Sequence, residues 1–260
     1  MSALLDVRGL KTQFATKRGV VHAVDDVSLS VAEGEVLGLV GESGSGKSVT
    51  GYSILGLIDA PGRVTAGSIK FSGRELVGLA ERDWRAIRGR EIAMIFQDPM
   101  LTLNPVLRID TQIIEAIHAH ADVSASRARD WAAEALAGVG IPSPEARLTA
   151  YPHQFSGGMR QRVAIAIALL HKPKLLIADE PTTALDVTIQ GQILAQVQTL
   201  ASQMKTAVIW ITHDLSVVSG LADRIAVMYA GRVVEAGATV DVLTQPAHPY
   251  TRGLLRSLPS

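Results

Sequence analysis

The 260-residue sequence predicts an α/β fold, a mostly parallel sheet packed with helices, on three observations. Apolar runs short enough to be buried strands alternate with stretches of helical periodicity, the pattern of parallel strands joined by crossover helices. A glycine-rich turn, Gly41-Glu42-Ser43-Gly44-Ser45-Gly46-Lys47-Ser48, lies between one such strand and a helix. Finally, Gln97, Asp179, Glu180 and His213 each follow an apolar run. In a parallel sheet, strand ends of this kind collect on the side where ligands bind.

Residues 1 to 35 read as short strands with turns: Leu4, Val7 and Leu10 are apolar, Arg18-Gly19 is a turn, and Val20 to Val24 is β-branched-rich. Phe14 falls here, an aromatic that either stacks on a base or packs in the core. Glu35 to Val40 is strand-like and runs into the glycine-rich turn, and Val49 to Ile58 follows as a helix with Ile54, Leu55 and Ile58 on one side. Gly67 to Gly73 is a strand between glycines, Glu81 to Arg90 a charged, solvated helix, and Ile92 to Phe96 a buried strand ending at Gln97-Asp98-Pro99. From about 106 to 153 the chain turns helical, with Ile109, Ile113 and Ile117, then Ala128, Trp131, Ala132, Ala135, Leu136 and Val139 after a cap at Ser124. Pro142-Ser143-Pro144 closes this lobe. His118 and His120 lie within it; a solvated face is preferred to a metal-ligating one. Leu175 to Glu180 is a strand ending in two carboxylates, and Val187 to Met204 a helix with Ile189, Ile193, Val197, Leu200 and Met204 on one stripe. Ala207 to Ile211 is a strand before Thr212-His213-Asp214, and Ile225 to Tyr229 forms a hairpin with Arg232 to Glu235 through Ala230-Gly231.

Composition narrows the function. With 25 basic and 25 acidic residues the formal charge is zero, which argues against a nucleic-acid partner. With no cysteine, the chain has no disulfide, no thiolate nucleophile and no cysteine-held cluster, and a reducing cytoplasm fits. The start is not a signal peptide, and the longest aliphatic run, Val163 to Leu170, falls short of the roughly 20 residues that span a bilayer. A soluble chain is expected, one that can still dock on a membrane protein.

The turn at 41–48 fits the phosphate-loop pattern G-x-x-x-x-G-K-[ST]. Its backbone N–H groups converge at the positive end of a helix dipole, Lys47 would reach the β- and γ-phosphates, and the Ser48 hydroxyl would ligate Mg²⁺. Hydrolysis of a γ-phosphoryl group then needs a metal and an oriented water. Asp179 suits the Mg²⁺ shell through water, Glu180 can polarise the attacking water, Gln97 can offer an amide oxygen to the metal, and His213 can bond the γ-phosphate. Ser156-Gly157-Gly158-Met159 opens a further helix and makes a second anion site, so two subunits sandwiching ATP are expected, each lending Ser156, Gly157 and Gly158 to the other.

Taken together, these segments resemble ATP-binding-cassette (ABC) ATPases over essentially the whole chain: the phosphate loop, the glutamine loop at Gln97, the signature Phe155-Ser156-Gly157-Gly158-Met159, the Asp179-Glu180 strand, Ala184-Leu185-Asp186 and the switch His213, in the family's order. Leucine and glutamine are commoner in the family at Phe155 and Met159. The resemblance implies a P-loop NTPase core with an N-terminal antiparallel β subdomain (1–97 and 161–245) and an inserted helical lobe (98–160). It implies ATP contacts at Phe14, on adenine, and from Gly41 through Val49, with Asp186 at a dimer interface. Phe96 to Pro105, and Pro246-Ala247-His248-Pro249-Tyr250-Thr251-Arg252 within 246–260, look like the peptide and nickel importer branch. Longer members carry a cysteine-bearing tail with an iron–sulfur cluster; no cluster is expected here. The expected role is that of an ATPase subunit at the cytoplasmic face of the membrane, paired with a related second ATPase, two permeases and an extracytoplasmic solute-binding protein. Its solute is a di- or oligopeptide, with nickel or a metal chelate as the alternative. The soluble ABC ATPases of DNA maintenance and the tandem translation factors are the more distant readings.

Overall fold

A computed structural model describes residues 3–182 and 187–257, without the side chains of 187–189. Ala184-Leu185-Asp186, and with it the interface expectation for Asp186, lies outside the described residues. In chain order the elements are β1 (Leu5–Thr16), β2 (Gly19–Val31), β3 (Val36–Val40), α1 (Lys47–Ile54), β4 (Gly62–Phe71), β5 (Arg74–Glu75), α2 (Glu81–Ile87), β6 (Ile92–Ile95), α3 (Ile109–His118), α4 (Ala125–Gly138), α5 (Pro144–Leu148), α6 (Gly157–Leu169), β7 (Leu175–Asp179), α7 (Val187–Met204), β8 (Ala207–Thr212), α8 (Leu215–Ser219), β9 (Arg224–Tyr229), β10 (Arg232–Ala238), α9 (Thr239–Thr244) and α10 (Pro249–Arg256). They form two compact units, residues 1–85 with 207–260, and residues 86–206.

The first unit holds an antiparallel sheet ordered β2-β1-β4-β5, and strands ordered β10-β9-β3-β8 in which β3 is parallel to both β8 and β9. β3 and β8 are apolar on both faces, as parallel strands covered by helices require. Where short strands were expected near the N-terminus, β1 and β2 run for 12 and 13 residues. Bulges keep them long: the β1–β2 register slips between Val7 and Leu10, next to Gly9 at φ 56°. Gly67 does not bound its strand as expected. It lies inside β4 at φ 99°, where a Cβ would come within 2.6 Å of the Leu10 Cα, so it marks a bulge at a close backbone approach.

The helix after the glycine-rich turn ends four residues earlier than expected. Leu55 caps it and Gly56, at φ 61°, reverses the chain; Gly56 N–H bonds the Ser53 carbonyl and Leu57 N–H the Tyr52 carbonyl, a paired C-terminal closure. The Trp84 ring covers this glycine, and a Cβ there would sit 2.5 Å from it. Trp84 and Ile87 are buried, so α2 is amphipathic and not the solvated helix expected.

In the second unit β6 and β7 pair in parallel, and the helical stretch resolves into α3, α4 and α5. Ser124 caps α4 as expected, its hydroxyl accepting from Arg127 N–H. Ile109, Ile113, Ile117, Ala128, Ala132 and Leu136 are buried along the faces their spacing predicted. Pro142-Ser143-Pro144 does not close the lobe: Pro144, with its fixed φ, starts α5, whose Leu148 is buried. His118 is exposed as expected, but His120 is half-buried. Its ring meets His171 edge-on at 5.0 Å, and its Nε2 lies 2.9 Å from the Arg88 carbonyl. Among the described residues no group of three or more His, Cys, Asp or Glu could hold a metal ion, and no helix is long and apolar enough to cross a membrane.

Candidate functional site

The residues singled out from sequence fall into two groups, one in each unit. In the first unit the glycine-rich turn joins β3 to α1. The helix starts at Gly46 without a side-chain cap and with no acidic residue in its first turn, which leaves its positive end to an anion from outside. The hairpin between β9 and β10 holds the turn in shape. Gly231 N–H donates to the Ser45 carbonyl at 2.9 Å, and because a trans peptide directs its C=O and N–H oppositely, the following Gly46 N–H faces away from the hairpin. Lys47 is almost fully buried, and its ammonium donates to the carbonyls of Gly41 at 2.7 Å and Glu42 at 2.9 Å. The Ser45 hydroxyl is buried with no hydrogen-bond partner. An uncapped helix start, a held lysine and an orphaned hydroxyl within eight residues fit a bound polyphosphate.

Phe14 is half-buried near the end of β1 and packs on Gly62, where a Cβ would lie 2.4 Å from the ring. His213 is exposed just beyond β8, and Asp214 caps the next helix by accepting from Ser216 N–H at 2.8 Å.

In the second unit, Asp179 is the last residue of β7 and is buried. Glu180 follows at φ 44°, a left-handed conformation rare outside glycine, which turns its side chain off the strand's alternation. Gln97 stands beyond the neighbouring β6, and its Nε2 donates to Glu180 Oε2 at 3.3 Å. The parallel pairing of β6 with β7 brings these two together, as their positions at strand ends predicted. With its amide nitrogen on Glu180, Gln97 keeps its amide oxygen for another partner. In the second unit, the Asp179 carboxylate and the Gln97 amide oxygen are each hard oxygen donors of the kind that suit Mg²⁺, as is the Ser48 hydroxyl in the first.

Ser156 caps α6, its hydroxyl accepting from Met159 N–H at 3.3 Å, and Ser156 and Gly157 are exposed. Arg160 Nε donates to the carbonyls of Pro152 and Phe155, fixing the turn, and Phe155 is buried under the Arg147 guanidinium. The substituted position thus serves as an apolar anchor for the corner.

Sequence reasoning gave Tyr250 no role. Its hydroxyl accepts from Glu42 N–H at 3.0 Å and its ring packs on Tyr229 at 4.5 Å. Burial, reinforced by the charge of Glu42, raises its pKa above the ordinary phenol value and keeps it neutral. The only signal for it was its place in the C-terminal motif.

Two sequence families match the chain, one described as ABC transporter over residues 24–183, the other as oligopeptide/dipeptide transporter, C-terminal region, over residues 234–260. The oligopeptide transport ATP-binding protein OppD of Bacillus subtilis is 52% identical, over 100% of this chain and 73% of its own length. The dipeptide transport ATP-binding protein DppD of Haemophilus influenzae is 53% identical, over 99% and 78%. Among solved structures, an ATP-binding cassette in a dimeric post-hydrolysis state with ADP and Pi aligns with a TM-score of 0.81 at 27% identity, covering 90% of this chain and 98% of that one. A cassette of the cbiONQ ABC transporter complex of Clostridium perfringens aligns at 0.78 and 26%, covering 94% and 92%.

Proposed function

The chain belongs to the ABC transporter family, and from that premise we propose that it is the ATP-hydrolysing subunit of a bacterial importer that energises uptake of di- or oligopeptides through a membrane permease. The observation that carries the hydrolytic half is the Gln97–Glu180 contact at the ends of two paired parallel strands. The peptide class rests on the similarity of the C-terminal region and on the relatives' names.

The phosphate loop, Gly41 to Ser48, wraps the triphosphate with its backbone N–H groups, and Val49 continues that wall into α1. Lys47 neutralises the β- and γ-oxygens, and Phe14 supports adenine with the ring face turned from Gly62. Ser48 and Gln97 would hold Mg²⁺ directly and Asp179 through water; the ion, when bound, shields the phosphate charge. Glu180 takes the proton of the attacking water, and Gln97 orients that carboxylate through its amide N–H. Proton transfer of this kind contributes about 10²–10⁴-fold. His213 donates to the γ-phosphate. Ser156, Gly157 and Gly158 serve a second subunit's nucleotide, in trans, a role that the exposure of Ser156 and Gly157 supports.

In this reading the companion is a related ATPase. Two permeases and an extracytoplasmic solute-binding protein complete the assembly, which holds this subunit at the cytoplasmic face of the membrane. The test is ATP hydrolysis by the assembly reconstituted in vesicles with its permeases and binding protein. Stimulation by di- or oligopeptides is expected; stimulation only by nickel or by nucleic acid would overturn the peptide assignment.

A further inference from the structure

We propose that Tyr250 is a positioning residue for the phosphate-loop lysine, through which the C-terminal segment sets the affinity for nucleotide phosphates. The inference rests on the reading of 41–48 as a phosphate site and adds a residue to it from the far end of the chain.

The peptide unit between Gly41 and Glu42 is held at both edges. Its carbonyl oxygen accepts from Lys47 Nζ at 2.7 Å, and its N–H donates to the Tyr250 hydroxyl at 3.0 Å. A planar peptide directs these two groups oppositely, so holding the N–H fixes where the carbonyl points, and the carbonyl fixes the ammonium. Tyr250 itself is placed by a built anchor. The Glu235 carboxylate on β10 accepts from Ala247 N–H at 2.7 Å and His248 N–H at 3.0 Å, ahead of α10. His248 then caps α10, accepting Tyr250 N–H at its Nδ1, and Pro249 occupies the first helical position. Tyr229, from the hairpin that also holds Ser45, packs against the Tyr250 ring. Residues 208 apart in sequence thus meet at one peptide bond of the loop, and all of these contacts lie within the first unit.

Without the hydroxyl, the peptide loses the partner on one edge and is free to rotate, and the lysine loses its fixed carbonyl. Tyr250→Phe keeps the ring packing and removes only that acceptor. The test measures Kd for ATP, ADP and adenosine by competition with a fluorescent nucleotide, in wild type, Tyr250→Phe, Lys47→Ala and the double variant. Tyr250→Phe is expected to weaken ATP and ADP about three- to ten-fold, the loss of one hydrogen bond. Adenosine affinity stays at the wild-type value. In the Lys47→Ala background the same change has no further effect, because Tyr250 acts through the lysine. An unchanged ATP affinity in Tyr250→Phe, an equal loss for adenosine, or full additivity with Lys47→Ala would each overturn the proposal. Failure of the wild type to bind ATP would instead overturn the phosphate-site reading.

Discussion

Gly46 is where the architecture of the phosphate loop can be tested by a single methyl group. It adopts φ 102°, and a Cβ on it would stand 2.3 Å from the Ala23 carbonyl oxygen and 3.3 Å from the Gly231 Cα. The first neighbour is backbone in β2, so it cannot swing aside as a side-chain tip would. Gly44 in the same loop has φ 81° but nothing within 4 Å of its hypothetical Cβ. Alanine at either position carries the left-handed penalty of about 1–2 kcal/mol. Only at Gly46 is overpacking added, about 1–3 kcal/mol more, against a total stability on the order of 5–15 kcal/mol. Thermal unfolding of the nucleotide-free protein should place Gly46→Ala roughly 2–12 °C below Gly44→Ala. Equal melting temperatures, or the reverse order, would refute the claim that strand and hairpin backbone confine the loop at this glycine.

Lys47→Ala should weaken ATP binding at least tenfold in a direct titration, since a nearly buried ammonium is removed from the phosphate site; unchanged affinity would contradict its assignment. Phe14→Ala should weaken ATP about five- to a hundred-fold, the range for a lost base–aromatic stack, while Phe14→Trp retains it; wild-type affinity in the alanine variant would return Phe14 to a packing role. His120 has its pKa lowered, by burial first and then by the charge of His171. The unfolded chain therefore takes up a proton near the ordinary histidine pKa of about 6.5 that the folded chain refuses, so stability falls as pH drops below that value. His120→Gln should flatten the fall in a denaturation series between pH 7 and pH 5; an unchanged slope would sink the assignment.

What could be read from sequence was whatever is local. The β9–β10 hairpin follows from Ala230-Gly231 between two β-rich runs, and the Ser124 cap from a serine ahead of a periodic stretch. Gln97 and Glu180 were legible as strand-end residues, and parallel pairing did the rest. The losses lie where partners are distant in sequence. Gly67 looked like a strand boundary because its neighbour across the sheet, Leu10, is visible only once β1 and β4 pair. His120 looked solvated because His171 lies beyond three intervening helices, α4, α5 and α6. Tyr250 carried no local sign of its bond to Glu42, and the end of α1 at Leu55 depends on Gly56, whose role the covering Trp84 ring and the Ser53 carbonyl reveal.

The most direct test of the account is single-turnover phosphate release from bound ATP and Mg²⁺ in wild type and in Glu180→Gln, a substitution that preserves shape and the contact with Gln97 while removing the proton acceptor. The account predicts wild-type affinity for ATP and a rate lower by about 10²–10⁴-fold. Equal rates in the two proteins would contradict it.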